Sequence, residues 1–466
     1  MKLRTLKVSV AAFTMLAGWT YAQDSIRESM TIREYMAPEK YQRNIFEDPK
    51  IDAPEYDGIK VTVGGDFSLQ FQALDHETKN KNLGTVTVQD NSTTPPTPTV
   101  VPNSLRVLGH DFNLPTANLD VNAYLAKGVK LHLRTYLSAR HHNEAWVKGG
   151  YIQIDNLDFI SPGFMGEIMK HARLRFGMDD LNYGDAHFRR SDNAYALSNP
   201  FMENNIMDSF TTQPYAEVYG FFNGFMGMVG VTNGKLNQSV VNTATSDNKM
   251  SIYAKVGYDK QVNSDLRVRL TGSAMKTNGL TTNGNLYGAE RAGSKYYYVL
   301  LTEADLVGAD NPVTGRFVPT FRDMFAAQIN PFIKYHGLEF FGTMEYATGY
   351  TVSALRGVPP QPTVKNSDGK GYYTQVAAEL LYRFGGKEQF YFGGKYNNVS
   401  GKQSKNALIR DINRWNIDAG YYMTKNILVK AEYVHQHYIN NDSWGATSAL
   451  KGGKFEGLVL EATIGF

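Results

Sequence analysis

The chain contains no cysteine, which excludes both a disulfide framework and a lipid anchor carried on a cysteine after a cleaved leader. Nor, beyond its first residues, does it contain a run of the roughly eighteen apolar residues that a helical membrane span requires, so a membrane role falls to a barrel or to nothing. Neither sign of charge is in excess. With 48 Lys and Arg against 45 Asp and Glu, no whole-chain attraction to nucleic acid is implied. No nucleophile elbow and no HExxH motif is present, and the glycine-rich stretch 220–230 falls in a strand hairpin with no following helix to hold phosphate. The chain therefore reads as a protein that is not an enzyme and needs no cofactor.

What is present points to strands. Twenty-nine Tyr, 25 Phe and 43 Gly accompany only 42% hydrophobic residues, a composition of strand formers and turns. Lys2, Arg4 and Lys7 precede an apolar run from Val8 to Trp19 and then Ala22, the plan of a secretory signal peptide over residues 1–22. Residues 23–57 are polar and proline-punctuated. They read as a periplasmic extension, with a plug inside the barrel as the alternative.

From Ile59 onward the hydrophobic period is two. Alternating segments occur at 59–72, 118–125, 129–138, 145–157, 171–178, 215–222, 225–232, 250–259, 265–275, 325–336, 338–350, 371–384, 388–398, 412–422, 427–438 and 455–466. Such segments of about ten residues, weak singly and persuasive in series, predict an all-β fold, a 16-stranded antiparallel transmembrane β-barrel over 58–466. Tight turns at 126–128, 223–224, 336–337, 385–386 and 424–426 alternate with long polar stretches at 75–115, 179–214, 277–324, 352–370 and 439–454. That alternation places short turns at the periplasmic end and long loops outside. Counting strands from either end leaves room for a single excursion at 277–324.

The side opposite the apolar face carries charge. Lys130, His132, Arg134, Arg173, Arg175, Lys255, Arg267 and Arg269 fall on the inward side of strands three, five, eight and nine. Asp66, Asp120, Asp155, Glu217, Glu339, Glu345, Glu379, Glu432 and Glu461 fall inward elsewhere. So many charges imply either water in the lumen or extensive pairing, because a buried unpaired charge costs several kcal/mol. About sixteen strands make a barrel wide enough for an aqueous channel.

The terminal stretch FEGLVLEATIGF resembles the closing strand of Gram-negative outer-membrane barrels, whose final Phe is read by the assembly machinery; here that residue is Phe466. Four further stretches are similar to Bacteroidota-type outer-membrane porins, related in plan to phosphate-selective porins: GDAHFRRSD at 184–192, NPFMEN at 199–204 with IMD at 206–208, GVTNG at 230–234 and TKNILVKAEY at 424–433. The resemblance implies an exported homotrimer of the outer membrane, in contact with lipid and lipopolysaccharide. It also implies that the third external loop, 179–214, narrows the pore, with Arg189, Arg190, Asp185, Asp192 and Glu203 as constriction residues. The alternative role of these residues is to pin the loop by ion pairs. Because the inward bases are accompanied by acids, the expectation is a general diffusion pore of modest ion preference. An anion- or phosphate-preferring channel, and a barrel acting through its loops as adhesin or enzyme, are the alternatives. His141-His142, the His435/His437 pair and Asp179-Asp180 with Asp185 lack the spacing of a metal site.

Overall fold

The computed structural model describes residues 35, 44–90, 92, 94–113, 115–138, 145–189, 195–234, 249–277, 286–288, 296–305, 313–354, 363–365 and 367–466. Sixteen long strands, each hydrogen-bonded to two neighbours, close into one antiparallel barrel. In chain order they are β1 (Lys60–Thr78), β2 (Thr116–Ala126), β3 (Val129–Ser138), β4 (Ala145–Ile154), β5 (Ala172–Asp180), β6 (Thr212–Phe222), β7 (Phe225–Thr232) and β8 (Ser251–Gln261). They continue as β9 (Leu266–Lys276), β10 (Arg322–Tyr335), β11 (Leu338–Tyr350), β12 (Gly371–Phe384), β13 (Phe390–Lys402), β14 (Arg410–Thr424), β15 (Ile427–Tyr438) and β16 (Gly453–Gly465). Each of the sixteen alternating segments of the sequence is one of these strands.

Closure falls on β1, the longest strand at 19 residues. Its first part pairs with β2 from Lys60↔Tyr124 to Ser68↔Thr116, and its later part pairs with β16 from Asp66↔Gly465 to Thr78↔Gly453. That offset is the stagger a barrel needs in order to close. Phe466 completes the seam, because its backbone N–H donates to the Gly65 carbonyl and its carbonyl accepts from the Gly65 N–H.

The turns follow from local chemistry. Asn223 and Gly224 both have positive φ, at 52° and 85°, which a two-residue hairpin demands and which Asn and Gly tolerate. The connection 155–171 is longer and holds a one-turn helix, Gly166–Met169. Its Leu157 and Met169 cover Val129 and Ile154, so Val129 faces outward yet is buried.

Outward side chains form an apolar belt: Leu133, Val218, Val256, Leu270, Leu380 and Ile417 are each 43–65% exposed. Aromatic rings mark both rims. Tyr382, Phe384, Phe390 and Tyr421 stack in sequence at the short-turn end, while Tyr346 with Tyr372, and Trp415 with Tyr433, stack toward the long loops. An apolar band between two aromatic girdles is how strands cross a bilayer. No described helix is long and apolar enough to do so.

Candidate functional site

The barrel lumen is where the chemistry gathers. Alternation turns every second side chain inward, and these are mostly polar: Gln70, Asn118, Arg134, Lys255, Asn330, Gln375, Asn397, Arg414 and Lys430 are all buried. Of the two states open to so many inward charges, water or pairing, the described residues show pairing. Three segments bring the partners.

The lowest tier, at the short-turn end, is the segment before β1. Glu47 Oε1 lies 2.7 Å from Lys255 Nζ, and Glu47 Oε2 lies 2.6 Å from Arg269 Nη2. Asp48 pairs with Lys130, while Arg173 donates to the backbone carbonyls of Asp48 and Pro49. Lys50 reaches Asp155, whose carboxylate also takes Arg173 and the Tyr35 hydroxyl. Across the lumen, the Asn44 side-chain amide donates to Glu339, and Phe46 packs on Phe332. Burial pushes the Glu47 carboxyl up, but Arg269 and Lys255 outweigh it and hold it at about 2.

The middle tier is the loop between β5 and β6, whose described residues, 181–189 and 195–211, fold inward. Asp185 is fully buried, bonded by Arg269 through two N–H groups at 2.9 Å, by Lys255 at 2.7 Å and by the Thr271 hydroxyl at 2.9 Å. Burial would raise its pKa, yet the two cations hold the carboxyl far below the usual range. Arg189 pairs with Glu339 at 3.0 Å and Glu203 with Arg414 at 2.6 Å. Wall side chains also grip the loop's backbone: Glu432, Asn397 and Gln375 accept the N–H groups of Met202, Ile206 and Met207. Burial, with Lys255 next in effect, pushes His187 down to about 3, so it is held neutral.

The upper tier belongs to the stretch between β9 and β10. Tyr287 donates to Glu345, Tyr296 donates to Glu432, and the Phe317 N–H bonds the Ile206 carbonyl below it. Between the middle and upper tiers lies an apolar cluster in which Tyr183, Met202, Ile206 and Met207 meet Leu286, Tyr296, Phe317 and Phe321. An apolar core thus sits inside the barrel, a feature period-two patterning of strands cannot announce.

The sequence-derived wall residues all face inward. Arg134 meets Asp120 through two bonds of 2.6 and 3.0 Å, and His132 bonds Asn122. Arg267 meets Asp259, Glu379 meets Lys395, and Glu217 accepts from Tyr219 and Tyr253. Glu345 accepts from Tyr183 and Tyr287, and Asp66 is buried beside Gly465. Arg175 differs: its guanidinium lies on the Tyr151 ring, 3.8 Å from the centroid, and the residue as a whole is only half-buried.

The structure adds three things to that reading. Basic inward residues are not confined to strands three, five, eight and nine, because Arg383, Lys395, Arg414 and Lys430 line β12 to β15. Their period-two positions were the signal that could have found them. Among the constriction residues, Asp185, Arg189 and Glu203 pair with the wall and not with one another; Arg190 and Asp192 lie outside the described residues. Glu47, Asp48 and Lys50, which hold the lowest tier, lie in a stretch without periodicity and gave no signal. His435 is outward, bonded to Glu456 and stacked on Trp415, and no metal-binding cluster occurs among the described residues; His141 and His142 lie outside them.

No protein-family model matches the sequence, and no curated protein matches it. Solved structures that resemble the fold include the outer-membrane channel DcaP of Acinetobacter baumannii, with 11% identity, 89% of this chain and 100% of that one covered, and a TM-score of 0.48. The anion-selective porin from Comamonas acidovorans shows 11% identity over 88% of this chain and 100% of its own, with a TM-score of 0.45. OmpT, an outer-membrane protein of Vibrio cholerae, shows 10% identity over 89% and 100%, also at 0.45. Identities near a tenth and TM-scores under 0.5 carry no correspondence between residues.

Proposed function

We propose that the chain is an outer-membrane porin that passes small hydrophilic solutes and ions passively, seen here with its lumen occupied by its own segments. The observation that carries this is the division of labour inside the barrel. The wall is a closed ring of sixteen strands with an apolar exterior and a charged interior, and occlusion comes from connecting segments rather than from the wall. Displacing the segments would leave a ring wide enough for water without breaking a hydrogen bond between its strands. Because acids and bases are interleaved on the inner wall, the expected ion preference is modest, which stands against a phosphate-type ladder of bases.

The same proposal includes export with loss of residues 1–22, assembly through the Phe466 strand, contact with outer-membrane lipid and lipopolysaccharide, and a homotrimer. Purified protein in a planar bilayer tests it. Stepwise conductance supports a porin, and a salt gradient gives the ion preference. A barrel that stays silent at every applied voltage is not a porin.

A further inference from the structure

We propose that residues 44–50 are a tethered plug, held as an anion in a cationic seat, and that this seat is the anion-attracting periplasmic mouth of the channel once the plug leaves. The inference rests on the porin reading.

The seat is built from β3, β5, β8 and β9, which lie along one stretch of the wall. Lys130 and Arg173 stand at one end of it, while Lys255, Arg267 and Arg269 stand at the other. These five cations face three carboxylates of wall and loop, Asp155, Asp185 and Asp259. Glu47 and Asp48 supply the two missing negative charges, one at each end, and Lys50 adds a tie to Asp155. The contacts are short, charge-assisted and buried, the class of hydrogen bond that contributes most. Phe46 fixes the depth, lying against the Phe332 ring and beneath Arg269, whose guanidinium is 4.1 Å from its ring centroid. Yet nothing covalent or sheet-like holds residues 44–50 to the wall, since β1 begins only at Lys60. The plug can therefore leave with the barrel intact, and on leaving it takes Glu47, Asp48 and Lys50 with it, a net loss of one negative charge from the mouth.

The test uses the full chain and the variant E47Q/D48N, each inserted in planar bilayers and, in parallel, treated with trypsin from the periplasmic side. The Lys50 side chain is 8% exposed and pairs with Asp155, so trypsin cuts after it only when the plug is out. The expected result is cleavage after Lys50 at least about tenfold faster in the variant, more frequent or larger conductance steps, and a reversal potential moved toward anions. Unchanged heat-dependent gel mobility reports that the variant is folded. Cleavage at the wild-type rate in a folded variant overturns the proposal, whatever the conductance. Faster cleavage and conductance with no anion shift overturns the cationic mouth. Faster cleavage with both proteins silent leaves the plug standing and overturns the porin reading instead.

Discussion

At the scale of the residue, inward polarity is bought by pairing. Arg134 and Asp120 are both essentially inaccessible and make two bonds to each other across β2 and β3. Removing one partner strands the other, at a cost of about 3–5 kcal/mol. Arg134→Met is thus expected to lower the denaturant midpoint of the barrel strongly, whereas Arg134→Met with Asp120→Leu recovers most of the loss. Equal midpoints for the single and double variants would contradict the pairing. The acids and His187 set a pH dependence of the interior. Glu47 has a folded pKa of about 2, below its ordinary 4.5, so its contribution is present above 4.5 and is lost as pH falls through about 2. His187, held neutral with a pKa near 3, contributes fully above about 6.5 and less as pH falls toward 3, because only the unfolded loop takes up the proton there. Tryptic cleavage after Lys50 cannot report so low a pH. Pepsin digestion of the loop between β5 and β6 can, when its rate is divided at each pH by that of an unstructured peptide, and this ratio is expected to rise from pH 5 to pH 2. The side of the strand on which Arg134 lies was legible from period two; its partner was not, because pairing depends on register across strands, which no single strand encodes.

At the scale of the element, strands were legible and loop destinations were not. A strand declares itself through alternation, whereas the loop residues 181–189 and 195–211 are directed inward by contacts with β8 to β15, far away in sequence. The backbone of that loop is held by side-chain amides: Asn397 accepts the Ile206 N–H, and Gln375 accepts the Met207 N–H at 2.8 Å. Losing an acceptor leaves a buried N–H unsatisfied, at about 1–3 kcal/mol each. Asn397→Ala with Gln375→Ala is expected to leave the barrel folded but to make the loop sensitive to protease added from outside. Resistance equal to wild type would mean that the apolar cluster around Met202 and Ile206 alone holds the loop. The seam obeys a different rule. A Cβ on Gly65 would sit 2.6 Å from the Asn118 carbonyl and 3.3 Å from the Phe466 ring, so Gly65→Ala is expected to loosen closure and to slow folding into vesicles, read by the onset of heat-dependent gel mobility.

At the scale of the whole molecule, the outward belt and the charged lumen are two halves of one constraint: each strand must show lipid on one side and satisfy its polar groups on the other. Leu133 on β3, Val256 on β8 and Leu380 on β12 are spread around the circumference, point outward, and are 43%, 65% and 54% exposed. A lysine placed on a lipid-facing strand near the bilayer midplane costs about 2–4 kcal/mol, because the ammonium cannot be hydrated there. Leu133→Lys, Val256→Lys and Leu380→Lys are each expected to lower folding stability in bilayers by that amount, with a smaller effect in detergent micelles, where water reaches the surface. A loss of this size at all three positions fits lipid all round a single barrel. A markedly different loss along one arc would instead mean that a second copy covers that arc, as a trimer requires. Lysines tolerated at all three would mean that the apolar face does not meet hydrocarbon, and the membrane assignment would fall with it.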